Sequence, residues 1–311
     1  MDRKMLSVII PAYNEEELIL STAEKIFCIL NDASIPCEII FVDDGSKDGT
    51  WQNIVAVAET DKRVHGLHFS RNFGKEAALM AGLQAASGAC CVTIDCDLQH
   101  PPEKIVEMYQ LWEDGYEVVE GVKADRGKES FAYHFAANTF YNIMTAAVGY
   151  DMRGRSDFKL LDRRAVNALL SMPEHDTFYR ALSAWIGFRS TTISFEVSPR
   201  QVGETKWSAS KLIRYAIRNI TGFTSSPMKI VTILGIIMLF FSLVLSVQTL
   251  ANKIRGQASE GFTTVIIVVL FTGSLIMINL GIMGYYMARM FDELKARPRY
   301  IISETTKEHD Q

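Results

Sequence analysis

GACCVTIDCDLQHPPE, residues 88–103, is the stretch on which the reading of the chain turns. Cys90 to Ile94 is an apolar, partly β-branched run, the composition of a buried strand. It ends on two aspartates one residue apart, Asp95 and Asp97, followed by Gln99 and two prolines. At a strand end the backbone turns, so both carboxylates can converge on one cation, or one can bind through water. Two readings stand at this point: a polar turn that closes a strand, or a site for a hard divalent ion. Carboxylate and amide oxygens suit Mg2+ or Mn2+, which in turn hold substrate phosphates.

Working outward, the same pattern recurs. LSVIIPAYNEE is an apolar strand stopped by Pro11 and followed by Tyr13 and Glu15. Glu15 to Leu30 carries apolar residues at helical spacing: Leu18, Ala23, Ile26, Phe27 and Leu30. CEIIFVDDGSKDGT is a second strand running into Asp43, Asp44 and a turn rich in Gly and Ser. Trp51 to Thr60 returns as a helix, VHGLHFS is a short strand, and KEAALMAGLQAAS is a small-residue helix. Alternating strands and helices of this length predict an α/β fold with a mostly parallel central sheet. In open sheets of this kind ligands sit beyond the carboxyl ends of the strands. Three strands place polar groups there: Tyr13 and Glu15, Asp43 and Asp44, Asp95 and Asp97. The sequence holds no GxGxxG after the first strand and no GxxxxGK[ST], which disfavours a dinucleotide fold and a P-loop.

The net charge of −4 gives no bulk reason to expect a nucleic-acid partner. The five cysteines, Cys28, Cys37, Cys90, Cys91 and Cys96, show no CxxC spacing and read as buried reduced thiols of a cytosolic setting. The apolar run near the N-terminus is too short for a signal peptide. Further on, no charged residue occurs from Ile230 to Asn252, nor from Gly261 to Ala288. Each stretch exceeds the roughly 20 helical residues that cross a hydrocarbon core. Lysines and arginines flank the pair more densely than they populate the loop between, so both termini are expected in the cytoplasm. WSASKLIRYAIRNITGF, Trp207 to Phe223, carries Lys211, Arg214 and Arg218 as one basic stripe, suited to an anionic membrane surface. The expected division is a cytosolic domain over 1–205, a juxtamembrane amphipathic region over 206–228, two transmembrane helices within 229–290 (about 230–252 and 262–288), and a cytosolic tail over 291–311.

VIIPAYNEE, FVDDGSKDGT, SRNFGKEAALMAG and TIDCDLQHPPE, in this order, resemble the motifs of family 2 glycosyltransferases. The resemblance is nearest to the polyisoprenyl-phosphate branch: dolichol-phosphate mannose synthases and bacterial bactoprenol (undecaprenyl-phosphate) glucosyltransferases. SDFKLLDRRAV, the GETKW segment and the paired apolar spans extend it over essentially the whole chain. His100 departs from it, since relatives often carry Asp there.

The resemblance implies a GT-A fold, a nucleotide-sugar donor, favoured as UDP-glucose, and a Mg2+ or Mn2+ cofactor. Pro11, Tyr13 and Glu15 would line the nucleoside pocket, Asp44 would meet the uracil edge, and Asp43 would shape the turn. Asp95 and Asp97, assisted by Gln99, would hold the metal and diphosphate. Arg71, Asn72 and Lys75, by their place just before the small-residue helix, either touch the donor's phosphate or ribose or simply start the helix and face solvent. The acceptor would be undecaprenyl phosphate or a related polyisoprenyl phosphate, met at the inner membrane among its lipids. Its phosphate would be bound from among Lys123, Arg126, Lys159, Arg200, Lys206 and Lys211. Asp157 would organise Lys159 and the acceptor arginines, with a base role secondary, because a phosphate monoester is already largely ionised at neutral pH. The reaction implied is in-line displacement at the sugar C1 with inversion. A homo-oligomer is compatible with the sequence. The alternatives are a processive polysaccharide synthase of the same superfamily, a catalytically silent membrane-anchored scaffold that binds lipid phosphate, and a nucleotidyltransferase, which also uses metal-bound acids. Against the first, QVGETKW stands where a QxxRW segment is expected, and two spans make no closed conduit.

Overall fold

The computed structural model describes residues 3–123, 142, 145, 155–174, 178–196, 226–255 and 261–306. It divides into two units: residues 1–211 with 297–311, and residues 212–296.

In the first unit the strands are β1 (Leu6–Ala12), β2 (Cys37–Asp43), β3 (Val64–Phe69), β4 (Cys90–Thr93), β5 (Val118–Lys123), β6 (Arg155–Asp162), β7 (Ser190–Phe195) and β8 (Ile302–Thr305). They form one sheet in the order β7-β5-β6-β4-β1-β2-β3-β8. β1 pairs in parallel with β2 and β4, β2 with β3, and β5 with β7, while β6 and β8 run antiparallel to their neighbours. The helices are α1 (Ile19–Asp32), α2 (Thr50–Thr60), α3 (Lys75–Ala85), α4 (Lys104–Glu113), α5 (Arg163–Leu170) and α6 (Tyr179–Trp185).

Alternation along β1 explains how helices cover both faces. Leu6, Val8, Ile10 and Ala12 join the core that holds Ile19, Ala23, Ile26 and Leu30 of α1. Ile9 points the other way, toward α3. A Cβ at Gly82 would lie 2.3 Å from the Ile9 side chain, so the glycine lets α3 lie close on the sheet. Each fully buried Leu or Ile contributes about 1.5–3 kcal/mol of transfer free energy.

Two expectations are corrected here. Pro11 does not stop β1: it pairs with Val42, and the strand runs on to Ala12. The ladder with β4 ends earlier, at Ile9 and Thr93. Beyond that point no β4 residue calls for a proline N–H. Part of the stretch expected as a tail also belongs to regular elements, in the last turn of the second long helix to Leu294 and in the strand Ile302–Thr305. β8 closes the β3 edge, Tyr300 stacks on Phe69 at 5.0 Å, and Trp51 Nε1 donates to Glu304 at 2.9 Å. The cysteines are all free, but Cys28 is exposed while the other four are buried.

The second unit holds α7 (Ser226–Ile254) and α8 (Phe262–Leu294). Within them Val231–Asn252 and Val268–Leu294 are long and apolar enough to cross a membrane, and among the described residues of these spans no side chain is buried in protein. The expected amphipathic helix over 207–223 lies outside the described residues.

Candidate active site

Parallel register brings the polar strand ends to one edge. Asp44 N donates to Ala12 O at 2.9 Å just past the β1–β2 ladder, and Ile94 N donates to Ile9 O at 3.1 Å just past the β1–β4 ladder. A cavity of about 600 Å³ opens there. Its lining includes Pro11, Tyr13, Glu15, Asp44, Asn72, Lys75, Asp95, Asp97, Gln99, His100, Lys123, Asp157 and Arg180.

The two aspartates of the opening stretch reach it through a tight turn. Leu98 sits at φ 50°, Leu98 N donates to Asp95 O at 3.3 Å, and Gln99 N donates to Asp97 Oδ1 at 3.2 Å. This left-handed step is unusual for leucine and lets the chain turn sharply enough to keep Asp95, Asp97 and Gln99 on one cavity. A second turn holds the neighbouring wall. Gly45 adopts φ 68°, and a Cβ there would lie 2.4 Å from the Arg71 backbone. The β2 turn therefore closes onto residues 71–74, where the Asp44 carboxylate accepts from Phe73 N at 2.7 Å and Gly74 N at 2.9 Å. Burial pushes the Asp44 carboxyl up, and those two backbone donors only partly offset it.

Asp157 arrives from across the sheet. β6 runs antiparallel to β4 with Lys159 opposite Thr93, so continuing the register sets Asp157 opposite Asp95. Lys75 Nζ bridges them, 2.6 Å from Asp95 Oδ1 and 2.9 Å from Asp157 Oδ2. Arg180, near the start of α6, grips Asp157 with both arms of its fork: Nε donates to Oδ1 at 2.7 Å and Nη2 to Oδ2 at 2.9 Å. Burial opposes charge on Asp157, but Lys75 and Arg180 outweigh it and hold its carboxyl well below the usual range. Asp95 is likewise lowered: burial works against its charge, and Lys75 and His100 overcome it. Lys75 is raised in turn, because the two carboxylates outweigh its burial.

The expected site residues sort into three groups. Pro11, Tyr13, Glu15, Asp44, Lys75, Asp95, Asp97, Gln99, Lys123 and Asp157 line the cavity. Asp43, Arg71 and Lys159 do not. Asp43 is fully buried, accepting from Ser46 N at 3.0 Å and from His68 Nδ1 at 2.7 Å, so it shapes the turn. Arg71 lies over the Phe73 ring, 4.6 Å from its centroid. The expectation that Lys159 binds acceptor phosphate is corrected. Its side chain is fully buried, donates to Ser183 at 2.6 Å and Glu120 at 3.3 Å, and is covered by α6. Burial pulls its ammonium down to about 7. Arg126, Arg200, Lys206 and Lys211 lie outside the described residues. The residue that sequence reasoning missed is Arg180. It stands in TFYRALSAW with no motif around it, and only the tertiary contact with Asp157 marks it.

Asp95, Asp97 and Gln99 offer the oxygen donors that a hard divalent ion takes. An ammonium already seated on Asp95 shows that this corner attracts positive charge. Among the described residues, no three His, Cys, Asp or Glu side chains are gathered into a ready-made cage.

Comparison with known proteins now decides the family. Residues 7–170 match Glycosyl transferase family 2. The chain belongs to this family. An uncharacterised glycosyltransferase of Synechocystis is 36% identical over 96% of this chain and 95% of its own. A prophage bactoprenol glucosyl transferase homologue of Escherichia coli is 33% identical over 97% of this chain and 99% of its own. Glucosyl-3-phosphoglycerate synthase from Mycobacterium tuberculosis, solved with Mg2+ and UDP, shares the fold at TM-score 0.50 and 20% identity, over 72% of this chain and 81% of its own. The sheet is thus that of a GT-A-like glycosyltransferase, and the protein is an enzyme of that kind.

Proposed function

We propose that this glycosyltransferase moves a hexose, glucose in our reading, from a UDP-sugar to undecaprenyl phosphate, with inversion at C1, at the cytoplasmic face of a membrane. The observation that carries the reading is the opposition of charges in one cavity. Asp95, Asp97 and Asp157 share it with Lys75, Lys123 and Arg180: Lys75 bridges Asp95 and Asp157, and Arg180 holds Asp157 from its other side. The likeness to bactoprenol glucosyl transferases along nearly the whole chain supports the sugar and the lipid.

Pro11, Tyr13 and Glu15 would flank the nucleoside, with Asp44 at the base while it holds the Phe73–Gly74 turn. When bound, Mg2+ or Mn2+ at Asp95, Asp97 and Gln99 supplies positive charge to the leaving diphosphate. The acceptor is a phosphate monoester, largely ionised at neutral pH, and asks for cations rather than a base. Asp157 suits that division of labour. Its oxygens are committed to Arg180 and Lys75, and a carboxyl held so far down is a weak base. It fixes the two cations, and Arg180 and Lys123 would meet the acceptor phosphate.

The exposed apolar side chains of α7 and α8 support a membrane hairpin. The first unit owns chain on both sides of that hairpin, residues 1–211 and 297–311, which fits two crossings returning to one side. The lysines and arginines that flank the hairpin favour the cytoplasm for that side.

The test incubates the full-length protein with undecaprenyl phosphate, Mn2+ or Mg2+, and a panel of UDP- and GDP-sugars, and reads products by mass spectrometry. The expected product is undecaprenyl phosphate bearing one hexose, with UDP released. A polymer would favour a processive synthase, pyrophosphate release a nucleotidyltransferase, and binding of the lipid without turnover a scaffold.

A further inference from the structure

We infer that Lys75 is an internal counter-ion that occupies the divalent-cation corner until the donor arrives, so that the metal enters with the nucleotide and not ahead of it. The inference rests on the reading of Asp95, Asp97 and Gln99 as the metal and diphosphate corner. Its observation is the seat of the Lys75 ammonium, 2.6 Å from Asp95 Oδ1 and 2.9 Å from Asp157 Oδ2.

A divalent ion that binds Asp95 through Oδ1 takes over the oxygen to which Lys75 is bonded, and one that binds through Oδ2 sits on the same carboxylate as that ammonium. Arriving alone, it would also place two further positive charges beside Lys75, Arg180 and Lys123, which share the cavity. That repulsion acts at contact distance, inside the range where salt screens little. Among the described residues no three His, Cys, Asp or Glu side chains form a preassembled cage at the corner, so a lone ion finds there few carboxylate oxygens to offset the cost. A nucleoside diphosphate changes both terms. Its phosphates bring negative charge to balance the local cations and oxygens to complete the ion's coordination. Lys75 has somewhere to go. Its side chain is 40% exposed, it keeps Asp157 as a partner, and its four-carbon stem can swing the ammonium toward the incoming phosphates.

The stem begins at the first residue of α3, directly after Gly74, whose amide is held by Asp44. The wall assigned to the base thus anchors the backbone from which the counter-ion springs. Asp157, held on its other side by Arg180, keeps that counter-ion aimed at the corner.

Mn2+ binding is measured by the electron paramagnetic resonance of free Mn2+, on the full-length protein in detergent, with and without UDP. The variants are Lys75→Met, which removes the charge and keeps the length, and Lys75→Arg, which keeps the charge. Expected without UDP is at least about fivefold tighter Mn2+ binding in Lys75→Met than in wild type, with Lys75→Arg like wild type. Wild type itself should gain at least about fivefold on addition of UDP. A smaller change in a Lys75→Met protein that melts cooperatively overturns the inference. Should that variant fail to fold, wild type decides: Mn2+ bound as tightly without UDP as with it overturns the inference. Mn2+ that binds with UDP but ignores position 75 sinks the Lys75 role alone. Absence of Mn2+ binding with UDP in wild type sinks the metal reading of the corner as well.

Discussion

The two walls of the cavity owe their charge to different kinds of chain geometry. The acidic wall is local: Asp95, Asp97 and Gln99 follow one another on a single turn past β4, fixed by the left-handed Leu98. The basic wall is assembled: Lys75 opens α3 and Arg180 comes from α6, both bonded to Asp157 of β6, and Lys123 from the end of β5 lines the same cavity. A local wall has no spare parts, since each side chain holds its place through the backbone of its neighbours. An assembled wall shares its load among groups from separate elements. Removing one acid should therefore abolish transfer, while changing one cation should only weaken it.

The sharpest way to break that contrast is Asp97→Ala. Transfer is expected to fall by on the order of a thousandfold or more, since positive charge at the leaving group is worth several kcal/mol. Expression and membrane insertion should be unchanged, and product formation in isolated membranes measures the loss. Turnover like that of wild type would make the strand-end acids ornamental. Next in size is Arg180→Lys, which keeps the charge and loses the fork. A rise in KM for undecaprenyl phosphate of roughly tenfold to a hundredfold is expected, with little change in KM for the sugar nucleotide. An effect confined to the donor would move Arg180 to the other wall.

The same contrast explains what the sequence disclosed. The local wall was legible because strand, turn and acids are contiguous in TIDCDLQHPPE, and parallel pairing of β1, β2 and β4 follows from their alternation with helices. The basic wall was legible in part, at Lys75 and Asp157 where a family motif reached it and at Lys123 in a loop rich in basic residues. Arg180 had no local signal, because what marks it is an antiparallel register that sets Asp157 beside Asp95. Lys159 misled for the converse reason. It sits two residues from Asp157 on the same strand, and nothing in the sequence states that α6 shuts Lys159 into the core while Asp157 still reaches the cavity. β8 escaped because IISET is too short to announce a strand without the β3 edge it completes.

Lys159→Met tests that boundary between wall and core. Lys159 is bonded to Glu120 and Ser183, while Arg155 also pairs with Glu120 and stays in place. The change should cost about 1–3 kcal/mol of stability through the unpaired oxygens left behind. KM for lipid phosphate should stay near the wild-type value. Thermal melting beside acceptor titration separates the two. A large rise in KM with unchanged melting would return Lys159 to the acceptor site.

The smallest expected effect is also the one whose sign is least intuitive. Glu76 stands behind the basic wall, accepts from Tyr179 N at 2.9 Å, and is pushed up to about 7 by burial and by the Asp157 charge. Its ordinary value is 4.5, so between about pH 4.5 and 7 the folded protein binds more protons there than the unfolded chain. The stability it contributes is full below that window and is lost as pH rises through it. Asp95 and Asp157, both lowered, act in the opposite sense, but only below the ordinary carboxylate range. His100, held below its ordinary 6.5 by burial, also acts in the opposite sense and does overlap the window. The useful quantity is therefore the difference between Glu76→Gln and wild type, in which the His100 contribution cancels. Glutamine keeps the acceptor for Tyr179 N and never ionises. The melting temperature of the variant should gain on wild type by about 2–4 °C between roughly pH 5 and 7.5. A difference that stays flat across that range would mean that Glu76 is ionised throughout, and that the charge behind the basic wall is one unit more negative than drawn here.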